Sequence, residues 1–110
     1  MKKGLPLEFK VKNMSQDFIK TLETIIKERK DLASEESYIA RSYAKGFNKL
    51  TQKFGEEAVE VIIAALAEDK TRLVSETADL IFHLLMLLEA KDVSFADIIA
   101  ELEQRNKTLK

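Results

Sequence analysis

The stretch KFGEEAVEVIIAALAEDK, from Lys53 to Lys70, decides the fold class because it is long, rich in helix-forming residues and strongly apolar. Between Ala58 and Ala67 every residue is apolar except Glu60. Such a stretch predicts a helix that is buried on most sides. A carboxylate inside it needs a counter-charge or a metal ion, because burying an unpaired charge is costly. The surroundings of Glu60 are therefore the first candidate for a functional site.

The composition is that of one globular domain. The chain has 110 residues, of which 45% are hydrophobic and 34% are charged. It contains no cysteine, which excludes disulfide bonds and thiolate metal sites and is compatible with a cytoplasmic protein. We expect neither a membrane span nor a signal peptide, because no apolar run reaches about 18 residues and none follows the basic start. The net charge is only −1, and we expect no nucleic-acid partner.

The distribution of glycine and proline favours an all-α fold. The chain has one proline and three glycines, and no window shows the alternation typical of a strand. We therefore predict a small bundle of about five helices. Residues 1–13 are expected to form an N-terminal arm, which is a tag remnant, a misassigned start or a native extension. Residues 14–110 are expected to form the helical domain.

Helix boundaries follow from capping residues and breakers. The predicted helices cover residues 16–30, 37–54, 56–68, 71–91 and 95–107. Gly46 is expected only to weaken the second helix, whereas Gly55 is expected to mark a break or kink before the third. Asp92 is predicted to adopt the left-handed conformation after the fourth helix, and Ser94 with Asp97 to form a capping box at the start of the fifth.

Two carboxylate pairs share one spacing on consecutive helices. Glu57 and Glu60 are three residues apart, as are Glu76 and Asp79, so each pair lies on one helix face, and Glu56 flanks the first pair. Antiparallel packing would bring the pairs together, where a hard divalent cation would relieve their repulsion. We predict that Glu57, Glu60, Glu76 and Asp79 bind Mg²⁺, with Mn²⁺ as an alternative ion. The competing interpretation is that Glu56 and Glu57 lie in a first helical turn and interact with the helix dipole, and that Glu76 is an ordinary surface residue.

Several motifs resemble one enzyme family. They are Ser37-Tyr38, Lys45-Gly46, the segment GEEAVEV from Gly55 to Val61, and ADL at 78–80 followed by HLL at 83–85. Together they resemble phosphoribosyl-ATP pyrophosphatase of histidine biosynthesis over about residues 15–105. The carboxylate motifs alone are similar to the broader all-α, MazG-like nucleotide pyrophosphohydrolases.

The resemblance implies a Mg²⁺-dependent hydrolysis of phosphoribosyl-ATP to phosphoribosyl-AMP and pyrophosphate by a helical homodimer. It places Glu56, Glu57, Glu60, Glu76 and Asp79 in the acidic metal site. The sequence departs from the family pattern at Ile39, where threonine is expected near a substrate contact, at Phe82, where tyrosine is common, and at the end of the fourth helix, which lacks glycine.

Cationic residues recur every four positions along the predicted second helix: Arg41, Lys45, Lys49 and Lys53. They are candidates for binding the substrate phosphates, and the alternative is a solvated charged face. His83 follows Asp79 by one helical turn. It could hold Asp79 in position, contact the substrate, or be a hydrogen-bonded core residue.

The expected mechanism is attack by a water molecule, since no Ser/His/Asp or Cys/His set stands out as a nucleophile. Glu56 or Glu57 is expected to accept the proton of that water. Two alternatives stay open: a housecleaning pyrophosphohydrolase of the same fold that removes non-canonical nucleotides, and a non-catalytic helical interaction module. In each case the apolar stretches 58–67 and 78–88 are too extensive for one chain to cover, which predicts a homodimer.

Overall fold

The computed structural model describes residues 7–106 and Thr108, with side chains from Phe18 onward. This part of the chain is helical and has no strand, which confirms the all-α prediction. The helices are α1 (Leu7–Arg29), α2 (Tyr38–Ala44), α3 (Phe47–Ala67), α4 (Lys70–Ala90) and α5 (Phe95–Asn106), with a 3-10 turn at Ser34–Glu36 before α2. None of these helices combines the length and hydropathy needed to cross a bilayer.

Helices α3 and α4 form a hairpin that is the largest helix–helix contact of the described chain. Only Glu68 and Asp69 separate them, so the two 21-residue helices run antiparallel. Asp69 caps α4, because its carboxylate accepts a hydrogen bond from the backbone N–H of Arg72 at 2.9 Å. The tight turn predicted at 69–70 is confirmed to within one residue.

The core lies where α1, α2 and α3 meet α4. Its buried cluster consists of Ile26, Ile39, Leu50, Leu85 and Met86. Burying each of these side chains contributes about 1.5–3 kcal/mol. Ile39, where the sequence departs from the family pattern, belongs to this cluster, so its side chain packs in the core.

Polar contacts fix the neighbours of α4. The Tyr43 hydroxyl donates to the Met86 carbonyl at 2.6 Å, and burial raises the pKa of Tyr43. At the end of α4, Glu89 pairs with Lys30 at 2.9 Å and with Lys27 at 3.5 Å. Burial opposes ionisation of Glu89, but these two lysines leave its pKa below the ordinary value. The pairs therefore hold α1 against α4 at neutral pH.

The connection from α4 to α5 follows the predicted geometry. Asp92 has a φ of 60°, and Val93 and Asp92 donate to the carbonyls of Leu88 and Glu89, as in a Schellman motif. Ser94 and Asp97 form the predicted capping box. The Glu23 carboxylate also accepts a hydrogen bond from the backbone N–H of Phe95 at 2.7 Å, which ties the start of α5 to α1.

Two predicted boundaries are wrong. Helix α1 begins at Leu7, not near residue 16, because residues 7–13 contain no helix breaker and continue the helical pattern. The second break lies at Gly46, not at Gly55. Gly46 has a φ of 96°, which favours glycine, whereas Gly55 lies inside the continuous helix α3.

Replacing these two glycines by alanine should have opposite effects. Gly46→Ala should lower the free energy of unfolding by about 1 kcal/mol, because alanine is strained at this positive φ. Gly55→Ala should raise it by about 0.5–1 kcal/mol, because the added methyl group meets no atom and alanine is the better helix former. Urea unfolding followed by circular dichroism measures both. A loss of stability in Gly55→Ala would contradict the continuous helix.

Candidate metal and substrate site

Carboxylates of α3 and α4 meet across the helix hairpin. Oxygen atoms of Glu57, Glu76 and Asp79 lie within 4.8 Å of one another. Glu57 and Glu76 are each only 5% exposed, whereas Asp79 is open to solvent. The antiparallel hairpin therefore brings one predicted pair against a member of the other.

Each buried carboxylate is half paired. One oxygen of Glu57 contacts the Lys53 ammonium at 3.2 Å, and one oxygen of Glu76 contacts the Arg72 guanidinium, both one turn earlier on the same helix. The second oxygen of each, Oε1, is buried without a hydrogen-bond partner. A set of oxygen ligands with two unpaired buried atoms fits a hard divalent cation such as Mg²⁺.

Glu60 lies beside this cluster but is exposed in the single chain. The apolar neighbours of Glu60 do not bury it within the single chain, because Val59, Ile62 and Ile63 are themselves about half exposed. The buried carboxylate of α3 is Glu57, which lies on the side of the helix that faces α4. An apolar run alone does not say which of its faces the chain itself covers.

The pKa of Glu76 is raised above its ordinary value. The largest cause is the interaction with the neighbouring Glu60 carboxyl, followed by burial and the negative charge of Glu60. Arg72 opposes the rise, and Asp79 adds to it. Glu60 and Glu76 thus interact electrostatically across the hairpin, as carboxylates of one site would.

A cavity of about 500 Å³ opens next to the carboxylates. Its lining includes Tyr38, Lys45, Lys49, Lys53, Glu56 and His83. Three of the four predicted cationic residues therefore share one cavity, and Lys53 joins it to Glu57. Arg41 is absent from the lining; its guanidinium donates to the Ser34 carbonyl at 3.3 Å.

Glu56 and Glu57 point in different directions. Glu57 faces the carboxylate cluster, whereas Glu56 faces the cavity and accepts a hydrogen bond from the Gln52 amide at 3.1 Å. Consecutive residues of a helix are about 100° apart around its axis, which explains the separation. Glu56 therefore borders the cavity and lies outside the three-carboxylate group.

His83 is 7% exposed and lies between the cavity and Asp79. Its Nδ1 lies 2.7 Å from the backbone carbonyl oxygen of Asp79, and its Nε2 lies 2.9 Å from the hydroxyl oxygen of Tyr38. The contact with Asp79 is thus made to the main chain. Both ring nitrogens have a partner.

Residue-level reasoning missed Tyr38, Gln52 and Arg72. Arg72 was detectable, because it precedes Glu76 by one helical turn and such pairs commonly interact. Tyr38 belongs to the quoted Ser37-Tyr38 motif, but its contact with His83 crosses 45 positions of the chain. Only the packing of α2 on α4 shows that contact.

A second groove, of about 460 Å³, lies between α1 and the α4–α5 connection. It contains none of the predicted site residues. Its charged lining includes Lys27 and Glu89, which pair with each other, and Glu23, which caps α5. Its polar groups therefore support the fold.

Comparison with known proteins identifies the family. A family model described as phosphoribosyl-ATP pyrophosphohydrolase matches residues 19–106. The chain belongs to this family. A phosphoribosyl-ATP pyrophosphatase of Novosphingobium aromaticivorans is 51% identical over 92 residues, which cover 84% of this chain and 86% of that protein. Proteins of the same name from Pyrobaculum islandicum and Zymomonas mobilis are 48% and 46% identical over 92 residues, covering 98% and 86% of their own lengths.

The raised pKa of Glu76 makes a prediction for the metal-free protein. The unfolded chain ionises Glu76 at a lower pH than the folded one, so this residue lowers stability as the pH rises through that interval. Glu76→Gln lacks this titration. The melting temperature of Glu76→Gln minus that of wild type should therefore increase as the pH is raised from about 4 to 7.

Thermal melts in chelator across this pH range measure the effect. Glu68→Gln is the matched control, because Glu68 also contacts Arg72, at 3.6 Å, but is more exposed. It reports the loss of an ion pair with Arg72 alone. A difference between Glu76→Gln and wild type that stays constant with pH would contradict the coupling between Glu60 and Glu76.

Proposed function

We propose that this chain hydrolyses phosphoribosyl-ATP to phosphoribosyl-AMP and pyrophosphate in histidine biosynthesis, with Mg²⁺, in the cytoplasm. Its membership in the phosphoribosyl-ATP pyrophosphohydrolase family supports the substrate and the reaction. The observation that carries the metal requirement is the pair of buried, unpartnered oxygens of Glu57 and Glu76 within the three-carboxylate group. The same group sits beside a cavity lined with lysines.

The charge balance supports a divalent ion. Glu57, Glu60, Glu76 and Asp79 together carry four negative charges when ionised, and the adjacent Lys53 and Arg72 supply two positive charges. Two negative charges remain, which one Mg²⁺ would neutralise. Glu57, Glu76 and Asp79 are the proposed ligands, with Glu60 completing the acidic site. When bound, the ion would neutralise phosphate oxygens and lower the pKa of a bound water.

The lysines are proposed to hold the phosphates. Lys49 and Lys53 face the cavity from α3, and Lys45 faces it from the end of α2. Ammonium groups bind phosphate oxygens strongly when both are partly removed from water. Lys53 also contacts Glu57, so it can link a phosphate to the carboxylate cluster. Arg41 is the weakest of the predicted contacts, because it bonds to Ser34 outside the cavity lining.

Glu56 is the proposed proton acceptor. It borders the cavity and is held by Gln52, and it contacts neither Lys53 nor Arg72 within ion-pair distance. Glu57 is the alternative acceptor, but one of its oxygens is paired with Lys53 and the other faces the cluster. An attacking water in the cavity would therefore meet Glu56 as its nearest free base.

The proposed assembly is a homodimer built on an exposed apolar stripe of α3. Val59, Ile62, Ile63 and Leu66 follow the i, i+3, i+4, i+7 spacing of one helix face and are 49–83% exposed. Val74 on α4 is 62% exposed. A contiguous apolar face of this kind usually marks a protein–protein contact, and burying each such side chain contributes about 1.5–3 kcal/mol. A second copy of the chain is the proposed cover.

The reaction is tested with purified protein and phosphoribosyl-ATP. Wild type should release pyrophosphate only with Mg²⁺ or Mn²⁺. Glu57→Gln, Glu60→Gln, Glu76→Gln and Asp79→Asn should each reduce the rate by orders of magnitude. Mg²⁺ should raise the melting temperature of wild type by mass action and hardly affect that of Glu57→Gln or Glu76→Gln.

Glu101→Gln is the control, since Glu101 lies on α5 in an exposed pair with Arg105. It should keep full activity. Metal-dependent activity on non-canonical nucleotides with none on phosphoribosyl-ATP would favour the housecleaning alternative. The absence of both hydrolysis and a Mg²⁺-induced rise in melting temperature would favour the interaction module.

The dimer is tested by light scattering. Wild type at micromolar concentration should have twice the 12.6 kDa mass of the chain. Leu66→Lys should shift the protein toward the monomer, because it places a charge in the apolar stripe. Leu32→Lys is the matched control, since Leu32 is also exposed but lies in the loop after α1. A monomeric wild type would refute the proposed assembly.

A further inference from the structure

Lys45, Lys49 and Lys53 form one wall of the cavity, the lysine wall, and a second wall differs from it chemically. Tyr38 of α2 and His83 of α4 both line the cavity, and their side chains are joined by the 2.9 Å contact between Oη and Nε2. Neither residue has a role in the hydrolysis proposed above. The question is what kind of ligand group this wall accepts.

The hydrogen bonds of His83 determine the direction of the Tyr38 proton. A backbone carbonyl only accepts hydrogen bonds, so the 2.7 Å contact with the Asp79 carbonyl requires a hydrogen on Nδ1. In the neutral ring Nε2 is then an acceptor, and the Tyr38 hydroxyl donates to it. The phenolic oxygen consequently has lone pairs but no hydrogen left for a cavity ligand.

The Tyr38 ring is also held in place. Its centroid lies 6.2 Å from that of Phe82, and it meets the His83 ring edge-on at 6.0 Å. The Ser37 side chain caps α2 immediately before it and fixes the backbone. Tyr38 is nevertheless 44% exposed, so its oxygen can be reached from the cavity. The wall thus offers a fixed hydrogen-bond acceptor.

A fixed acceptor discriminates between the two ends of a nucleotide. Phosphate oxygens are acceptors with negative charge and match the lysines, not an acceptor oxygen. Ribose hydroxyls and the amino group of a purine are donors and match it. We propose that Tyr38, oriented by His83, is a specificity-determining residue that binds the nucleoside part of the substrate while the lysine wall binds its phosphates. This inference rests on the proposed function in requiring a nucleotide ligand.

Binding calorimetry with two probes in Mg²⁺ tests the proposal: ATP, and inorganic triphosphate, which lacks the nucleoside. Tyr38→Phe should weaken ATP binding about 3- to 10-fold, as expected for one uncharged hydrogen bond, and leave triphosphate binding unchanged. Lys49→Ala should weaken the binding of both ligands. Tyr43→Phe is the matched control on the same helix, because the Tyr43 hydroxyl bonds to the Met86 carbonyl. It should lower the melting temperature and leave both affinities unchanged.

A second set of variants tests orientation by His83. His83→Leu should weaken ATP binding to the same extent as Tyr38→Phe, and the double variant should be no weaker than either single one. His83→Gln should restore part of the affinity, since its amide oxygen can accept the Tyr38 proton. Additive losses in the double variant would overturn the orienting role.

The outcomes separate this proposal from the proposed reaction. The nucleoside contact would be overturned if Tyr38→Phe weakened the binding of ATP and of triphosphate equally, or weakened the binding of neither. A wild type that binds triphosphate but not ATP would overturn it as well. Weaker binding of ATP by Tyr38→Phe than by wild type would support the nucleoside contact. If wild type also released no pyrophosphate from phosphoribosyl-ATP, the proposed reaction would be refuted while the contact stood.

Discussion

Two like charges held together in a buried position are the constraint on which the site depends. Glu57 and Glu76 meet between α3 and α4, and each has one oxygen without a hydrogen-bond partner. Such an arrangement disfavours folding unless the surrounding helices are held firmly and a cation completes the charge balance. The hairpin turn at Glu68–Asp69 and the core beneath α4 supply the first condition. With Glu60 and Asp79 nearby, Lys53 and Arg72 balance only two of the four negative charges.

The rest of the structure can be understood as support for this hairpin. Core side chains from α1, α2 and α3 pack against Leu85 and Met86 of α4. Tyr43 and the pair of Glu89 with Lys30 then fix α2 and α1 along the same helix. Because α4 contacts both the core and the carboxylates, the position of the acidic site is set by the packing of the whole domain.

Much of this arrangement follows from local sequence signals. The carboxylate spacing, the left-handed Asp92 and the Ser94–Asp97 box each depend on residues within one or two helical turns, and each agrees with the structure. Two other features required information from outside that range. Whether Gly46 or Gly55 breaks a helix depends on how α2 must turn to pack on α4. Which face of α3 is covered depends on partners that a single helix does not specify.

The same limit explains the candidate site. The spacing of the acidic residues was visible in the sequence, but the burial of Glu57 in place of Glu60 was not, because it depends on which face of α3 packs against α4. Tyr38 was part of a recognisable motif, yet its contact with His83 spans 45 positions of the chain. The contact proposed to orient a ligand group is thus one that local patterns do not describe.

The continuity of α3 has a consequence for how the site can change. Lys49, Lys53, Glu57 and Glu60 lie on one side of a single uninterrupted helix, so Lys49 and Glu57 are separated along its axis by about 12 Å. The helix therefore fixes the distance between the cationic and acidic ends of the site. A point substitution can alter the chemistry at either end but leaves this length unchanged. Inserting one residue between them would rotate one end by about 100° relative to the other. The distance between the two ends can therefore change only together with the direction in which their side chains point around the helix axis.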